Sequence, residues 1–189
     1  MLELILKIIF ISLMYENIGR KVFNNEAMRS GTLLGLLWIV IYAVALGAFS
    51  NTAYSLLFMI LNIASPFYAG YLAVRFRKNV CGGALKFVEA WLYVLIEYLC
   101  ASLLAAVVIF VYLRFVNSTV VADAMNNMVE VIKTDQQVYT AMGEELIKAV
   151  EVYTKMSVKD IVFNITTSNL MNGTILAPII ALFVKRNKQ

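Results

Sequence analysis

Two carboxylates and a phenol stand at four-residue intervals inside one long apolar stretch: Glu89, Tyr93 and Glu97. On a helix these positions follow a single, slowly drifting face. Glu89 lies three residues after Lys86 and two before Trp91, the setting of an interfacial carboxylate paired with a neighbouring lysine, and its expected role is structural. Glu97 sits about 12 Å further along the helix. No basic residue lies within two turns of it on its own segment. An ionisable group at such depth is costly and points to the bundle interior. It is read either as a proton- or cation-linked site or as a structural hydrogen-bonding group. Its candidate partners are Asn62 and the series Asn164, Thr167, Ser168 and Asn172, of which Asn164, Ser168 and Asn172 share one helical stripe.

The composition narrows the remaining chemistry. With no histidine and only Cys81 and Cys100, the chain lacks the imidazole and thiolate sets of zinc and haem centres, so no metal and no cofactor is expected. The two cysteines belong to different membrane levels and should be reduced. No phosphate-cradling glycine loop, Gly-x-Ser-x-Gly elbow or nucleophile–base pair is present, and the chain is not expected to be an enzyme.

The elements that must position these residues are set by hydrophobicity. Of 189 residues, 61% are hydrophobic and 15% charged, against roughly 45–50% and about 25% in soluble domains. Four segments are long enough to cross a bilayer: about 31–49, 53–74, 85–114 and 161–184. The third is longer than a crossing needs and should tilt or project. Pro66 and Pro178 fall inside spans two and four and are expected to kink them. Gly31/Gly35, Ala43/Gly47 and Gly173/Ala177 supply small-residue seams for close helix approach.

Charge sets the orientation. Arg20, Lys21 and Arg29 precede span one, Arg75, Arg77, Lys78 and Lys86 join spans two and three, and Lys185, Arg186 and Lys188 follow span four. All fall on one side of a four-span chain, which by the positive-inside rule is the cytoplasm, with both termini inside. These residues flank spans and form no separate basic domain, so no nucleic-acid partner is expected. Arg114 closes span three on the other side, where it could snorkel to headgroups or meet an acidic partner or lipid phosphate.

Between spans three and four, Val121, Ala124, Met125, Met128 and Ile132 recur at helical spacing, as do Val138, Met142, Leu146, Val150 and Tyr153. Two amphipathic helices are expected, turning at Thr134-Asp135-Gln136, with Glu144–Lys148 and Glu151–Lys155 as i,i+4 pairs on their polar sides. The first fifteen residues are apolar but short, and read equally as an interfacial helix with Glu3 and Lys7 paired or as a stretch preceding a true start at Met14. The reading as a whole is one all-α, polytopic membrane domain over 1–189, a four-helix transmembrane bundle with an external helical hairpin.

This order of features resembles a family of small bacterial membrane proteins catalogued as domain of unknown function 4199. The resemblance rests on the Arg75-Phe76-Arg77-Lys78 stop, Gly82-Gly83 followed by Lys86-Phe87, the acidic helical excursion containing Gly143-Glu144-Glu145, and the last span ending in Lys185-Arg186. It implies an inner-membrane protein, often encoded beside a glycosyltransferase resembling polyprenyl-phosphate mannose synthases. An accessory or anchoring role in polyprenyl-phosphate-linked glycosylation follows as the expectation, with Arg75, Arg77, Lys78 and Lys86 facing lipid phosphates or the enzyme. The alternative is a small proton-linked transporter or lipid translocator using Glu97. Membrane lipids, a glycosyltransferase and further copies of the chain are the expected partners.

Overall fold

The computed structural model describes residues 19–48, 52–134 and 136–186. The readings made for the first fifteen residues, and for Asp135, lie outside these. Among the described residues six helices follow in order: α1 (Arg20–Ala48), α2 (Thr52–Asn79), α3 (Phe87–Val111, continued by a π-helical turn over Tyr112–Val116), α4 (Val120–Thr134), α5 (Gln136–Thr154) and α6 (Val158–Val184). Helices α1, α2, α3 and α6 are long and apolar enough to cross a membrane, and no strand occurs among the described residues. The protein is a multi-pass membrane protein.

Helix α3 is the centre of the bundle, with α1 packed along one side and α6 along another, while α2 lies against α1 and touches α6 and α3 over less of its length. Lipid tails are as apolar as leucine, so helices in a bilayer associate by close contact rather than by escape from water. Small residues supply that contact here. Gly31 and Gly35 of α1 rest on Glu97, Cys100 and Ala101 of α3, and Gly173 of α6 rests on Tyr98. Ala90, Ala101, Ala105, Ala177 and Ala181 are fully buried between them. Two of the three expected seams are thus interfaces with α3. In the third, Ala43 stays exposed and Gly47 approaches Tyr54 of α2 instead.

Helix α1 begins at Arg20 rather than near Gly31, because its polar first turns are amphipathic rather than loose. Phe23 meets the rings of Phe76 and Tyr93 edge-on at 5.6 and 5.8 Å, Ala27 is fully buried, and Lys21, Asn24, Asn25 and Arg29 face outward. A hydropathy threshold sees the charges and misses the buried stripe. Full burial in helix α2 is confined to its second half: Ser65, Ala69, Leu72, Ala73 and Phe76 are buried, whereas nothing from Ala53 to Ala64 is and Phe58 and Leu61 pack against the core only partly buried. The Trp38 indole N–H donates to Ser65 Oγ at 2.8 Å where that packing begins, at the residue before Pro66.

The ends are fixed by local chemistry. Gly82 and Gly83 adopt φ of 63° and 88°, which turn the chain from α2 into α3 in a conformation other residues rarely take. Leu85 then exchanges two backbone hydrogen bonds, both 2.8 Å, with Arg186 beyond α6, so α3 starts at Phe87 and not at 85. At the opposite end Ser157 caps α6, accepting from the Asp160 N–H at 3.3 Å while Asp160 accepts from the Ser157 N–H at 3.2 Å. Helices α4 and α5 pack on each other there. The i,i+4 pairs expected on α5 do not close: among the described residues the ion pair is Glu26–Arg29, at 3.8 Å. Exposed partners gain too little from water-screened attraction to hold two long side chains together.

Candidate functional site

Three features carry chemistry-bearing groups. The first is the basic end, where the start of α1, the α2–α3 turn and the end of α6 converge through the Leu85–Arg186 pairing. Arg29, Arg75, Lys78, Lys86, Lys185 and Arg186 are exposed there. Arg77 is not equivalent to them: partly buried, it donates to the carbonyl of Val184 and ties α2 to the last turn of α6. Glu89 corrects the sequence expectation. It is buried, and its Oε2 accepts from the Lys86 backbone N–H at 2.8 Å, capping α3 rather than pairing with the Lys86 ammonium. Beside it, burial and then the charge of Glu89 push the Cys81 thiol up to about 11. Both cysteines are free.

The second feature is Glu97. Its side chain is 0% exposed, and neither carboxylate oxygen has a hydrogen-bond partner among the described residues. The candidate partners read from the sequence do not reach it. Asn62 is exposed on α2 and returns its amide to the Phe58 carbonyl at 2.8 Å; Asn172 is exposed on α6; Asn164, Thr167 and Ser168 make no hydrogen bond to it. Tyr93, one turn away, is engaged elsewhere. Its hydroxyl shares a 2.6 Å hydrogen bond with Ser30 Oγ and lies 3.3 Å from the Glu26 carbonyl, while its ring stacks on Phe76 at 4.2 Å. The nearest feature of α1 is Gly31, seated on the Glu97 backbone. Among the described residues Glu97 is therefore a buried carboxyl whose ionised form finds no counter-charge, the arrangement in which binding or release of a cation or proton has the largest consequence.

The third feature was missed from sequence. Tyr42 of α1 donates to Asn169 Oδ1 at 3.0 Å and accepts from Asn169 Nδ2 at 2.7 Å. Asn169 lies one position off the Asn164/Ser168/Asn172 stripe, so the helix–helix bond expected of that stripe is made by its neighbour. The available signal was on α1: Trp38 and Tyr42, four residues apart, are polar-tipped aromatics in an otherwise apolar span, and such tips find partners when buried. The Tyr42–Asn169 pair borders a cavity of about 490 Å³ between α1, the end of α3, and the first turns of α6, roofed by Val121, Ala124 and Met125 of α4. Asn164 and Ser168 line it, and Tyr112 and Leu113 of the π-helical turn form part of its wall. Arg114, in that turn, is exposed.

A family model described as a protein of unknown function, DUF4199, matches residues 29–186. No curated protein and no solved structure matches the chain.

Proposed function

The chain belongs to the DUF4199 family, and from that premise we propose that it is a non-catalytic subunit of the bacterial inner membrane which anchors a glycosyltransferase acting in polyprenyl-phosphate-linked glycosylation. The observation that supports this reading is the basic end. Arg75, Lys78 and Lys86 stand exposed on a turn held against the end of α6, with Lys185 and Arg186 beside them. A fixed cluster of this kind suits anionic lipid phosphates and the acidic surface of a peripheral enzyme, each basic residue near an anionic membrane contributing about 1 kcal/mol. Positive-inside reasoning puts this end, and both termini, in the cytoplasm and puts the α4–α5 hairpin outside.

Purification from native membranes in mild detergent is expected to recover a glycosyltransferase in stoichiometric amount. Changing Arg75, Lys78 and Lys86 together to Gln should reduce that recovery about tenfold or more. Arg77 is left in place because it holds α2 to α6. Recovery equal to that of an unrelated membrane protein would overturn the anchoring role.

Glu97 supports a second reading, a small proton-linked transporter or lipid translocator. A fully buried carboxyl without a hydrogen-bond partner is what a bundle needs if it is to take up a proton and give it back as its helices move. In proteoliposomes, Glu97→Gln is expected to abolish pH-dependent flux in a protein that remains folded. Flux unchanged in the variant would remove Glu97 from the mechanism.

A further inference from the structure

The geometry points to a binding site for a neutral amphiphile in the cavity between α1, the end of α3, α4 and α6: an apolar chain lying among the helices, its uncharged hydroxyl or amide head held by Asn164 and Ser168. The size suits a ligand of this class. At about 490 Å³ the space lies inside the range of roughly 300–1,000 Å³ for small-molecule pockets, and an engineered cavity of about 150 Å³ already takes up benzene. Its walls are aliphatic and aromatic for most of their extent, contributed by Ile39, Leu46, Ile109 and Ile165 among others.

The polar groups decide what the occupant is. Tyr42 and Asn169 satisfy one another and serve as a fixed rung between α1 and α6. Asn164, half-buried, and Ser168, exposed, one turn apart on α6, make no hydrogen bond among the described residues, although both line the cavity. Of the hydroxyls around Ser168, Thr166 and Thr174 return theirs to the carbonyls of Val162 and Leu170 at 2.7 and 2.8 Å, whereas Thr167, like Ser168, has no hydrogen bond among the described residues. An amide and a hydroxyl at an apolar chamber offer three donor hydrogens and two acceptor oxygens to a ligand head group. No charged side chain lines the chamber among the described residues, so a phosphate or an ammonium would enter there without a counter-charge, which is strongly unfavourable. Asn164 and Ser168 lie about 9 and 15 Å along α6 from its first residue, and the apolar walls of Leu46, Ile109, Ala124 and Ile161 lie between them and the end of the bundle, so the head group is held deep and the chain runs outward. The π-helical turn lining the mouth is a local irregularity of the kind often found where helices are shaped around ligands.

The test is photolabelling in nanodiscs with three probes that share a diazirine-bearing sixteen-carbon chain: the primary alcohol, its phosphate monoester and the plain hydrocarbon. The alcohol is expected to label peptides of α1, α4 and α6 that line the cavity, about tenfold more than either other probe, as loss of the head-group contacts implies. Asn164→Leu with Ser168→Ala should erase the preference of alcohol over hydrocarbon while leaving labelling by the hydrocarbon, and Ala45→Phe, which fills the chamber from α1, should lower labelling by all three. Equal labelling by alcohol and hydrocarbon would make the cavity an ordinary cleft filled by lipid tails. Strongest labelling by the phosphate ester would make it an anionic-lipid site, and either result overturns the proposal. The double variant removes polar atoms without adding bulk, so it decides the matter even where Ala45→Phe fails to fold.

Discussion

Replacing Gly31 by Leu is expected to break the α1–α3 interface and with it the bundle. A Cβ at position 31 would lie 2.6 Å from the Cys100 Cβ and 2.7 Å from the Glu97 carbonyl oxygen, with the Glu97 Cα at 3.3 Å. Those atoms belong to the backbone and the root of a side chain, so none can swing aside; α1 would have to retreat. Overpacking a tight core costs about 1–3 kcal/mol, and occasionally more. Ala at this position should fall in that range and Leu beyond it, since the branched side chain would wedge apart an interface built on small residues. Gly70→Ala is the control. Its Cβ would meet Ile180 at 3.6 Å, an ordinary contact, and removing a glycine from a helix interior is worth about 0.5–1 kcal/mol in the stabilising direction. Thermal unfolding in detergent micelles measures both. A Gly31→Leu protein as stable as the parent would mean that α1 does not sit on α3 as described.

The second large effect runs the other way. Glu97→Met should stabilise the folded protein by about 1–3 kcal/mol, the usual cost of a buried polar group left without a partner, because Met fills a similar volume and takes two unpaired oxygens out of an apolar interior. Glu97→Gln should change stability less, since the amide keeps buried polar atoms. Stability gained by deleting a residue marks a group retained for activity rather than for folding. The same unfolding measurement checks it: a loss of more than about 1 kcal/mol in Glu97→Met would show that the carboxyl makes a stabilising contact in the folded protein and would favour the structural role. Read with the flux assay, the pair separates the two roles. A transporter residue loses flux and gains stability, whereas a structural one loses both.

Much of the architecture was legible in the sequence because it depends on length and composition alone. Four apolar stretches of bilayer-crossing length and the Gly82-Gly83 turn together give how many spans there are and which span ends lie together. Glu97 was legible too, as a carboxyl too deep to face lipid, and it is fully buried. The onset of α1 was not, because Lys21 and Arg29 mask the stripe of Phe23, Ala27 and Ser30 from any measure of mean hydropathy.

Which polar groups meet was decided by the tertiary structure, for a reason particular to membrane helices. In a soluble helix the apolar stripe declares the buried face, but a span apolar all round carries no such contrast, since lipid and protein interior are equally acceptable to Leu and Ile. Spacing put Asn164, Ser168 and Asn172 on a common stripe but could not say which way that stripe turns. The rotation of α6 is set by Gly173 closing on Tyr98 and by Ala177 and Ala181 against the bundle. That rotation carries Asn169 to Tyr42, opens Asn164 and Ser168 to the cavity, leaves Asn172 exposed and puts all of them out of reach of Glu97. Sequence fixes the depth of each polar residue in a span; close packing at the small residues fixes the direction it faces.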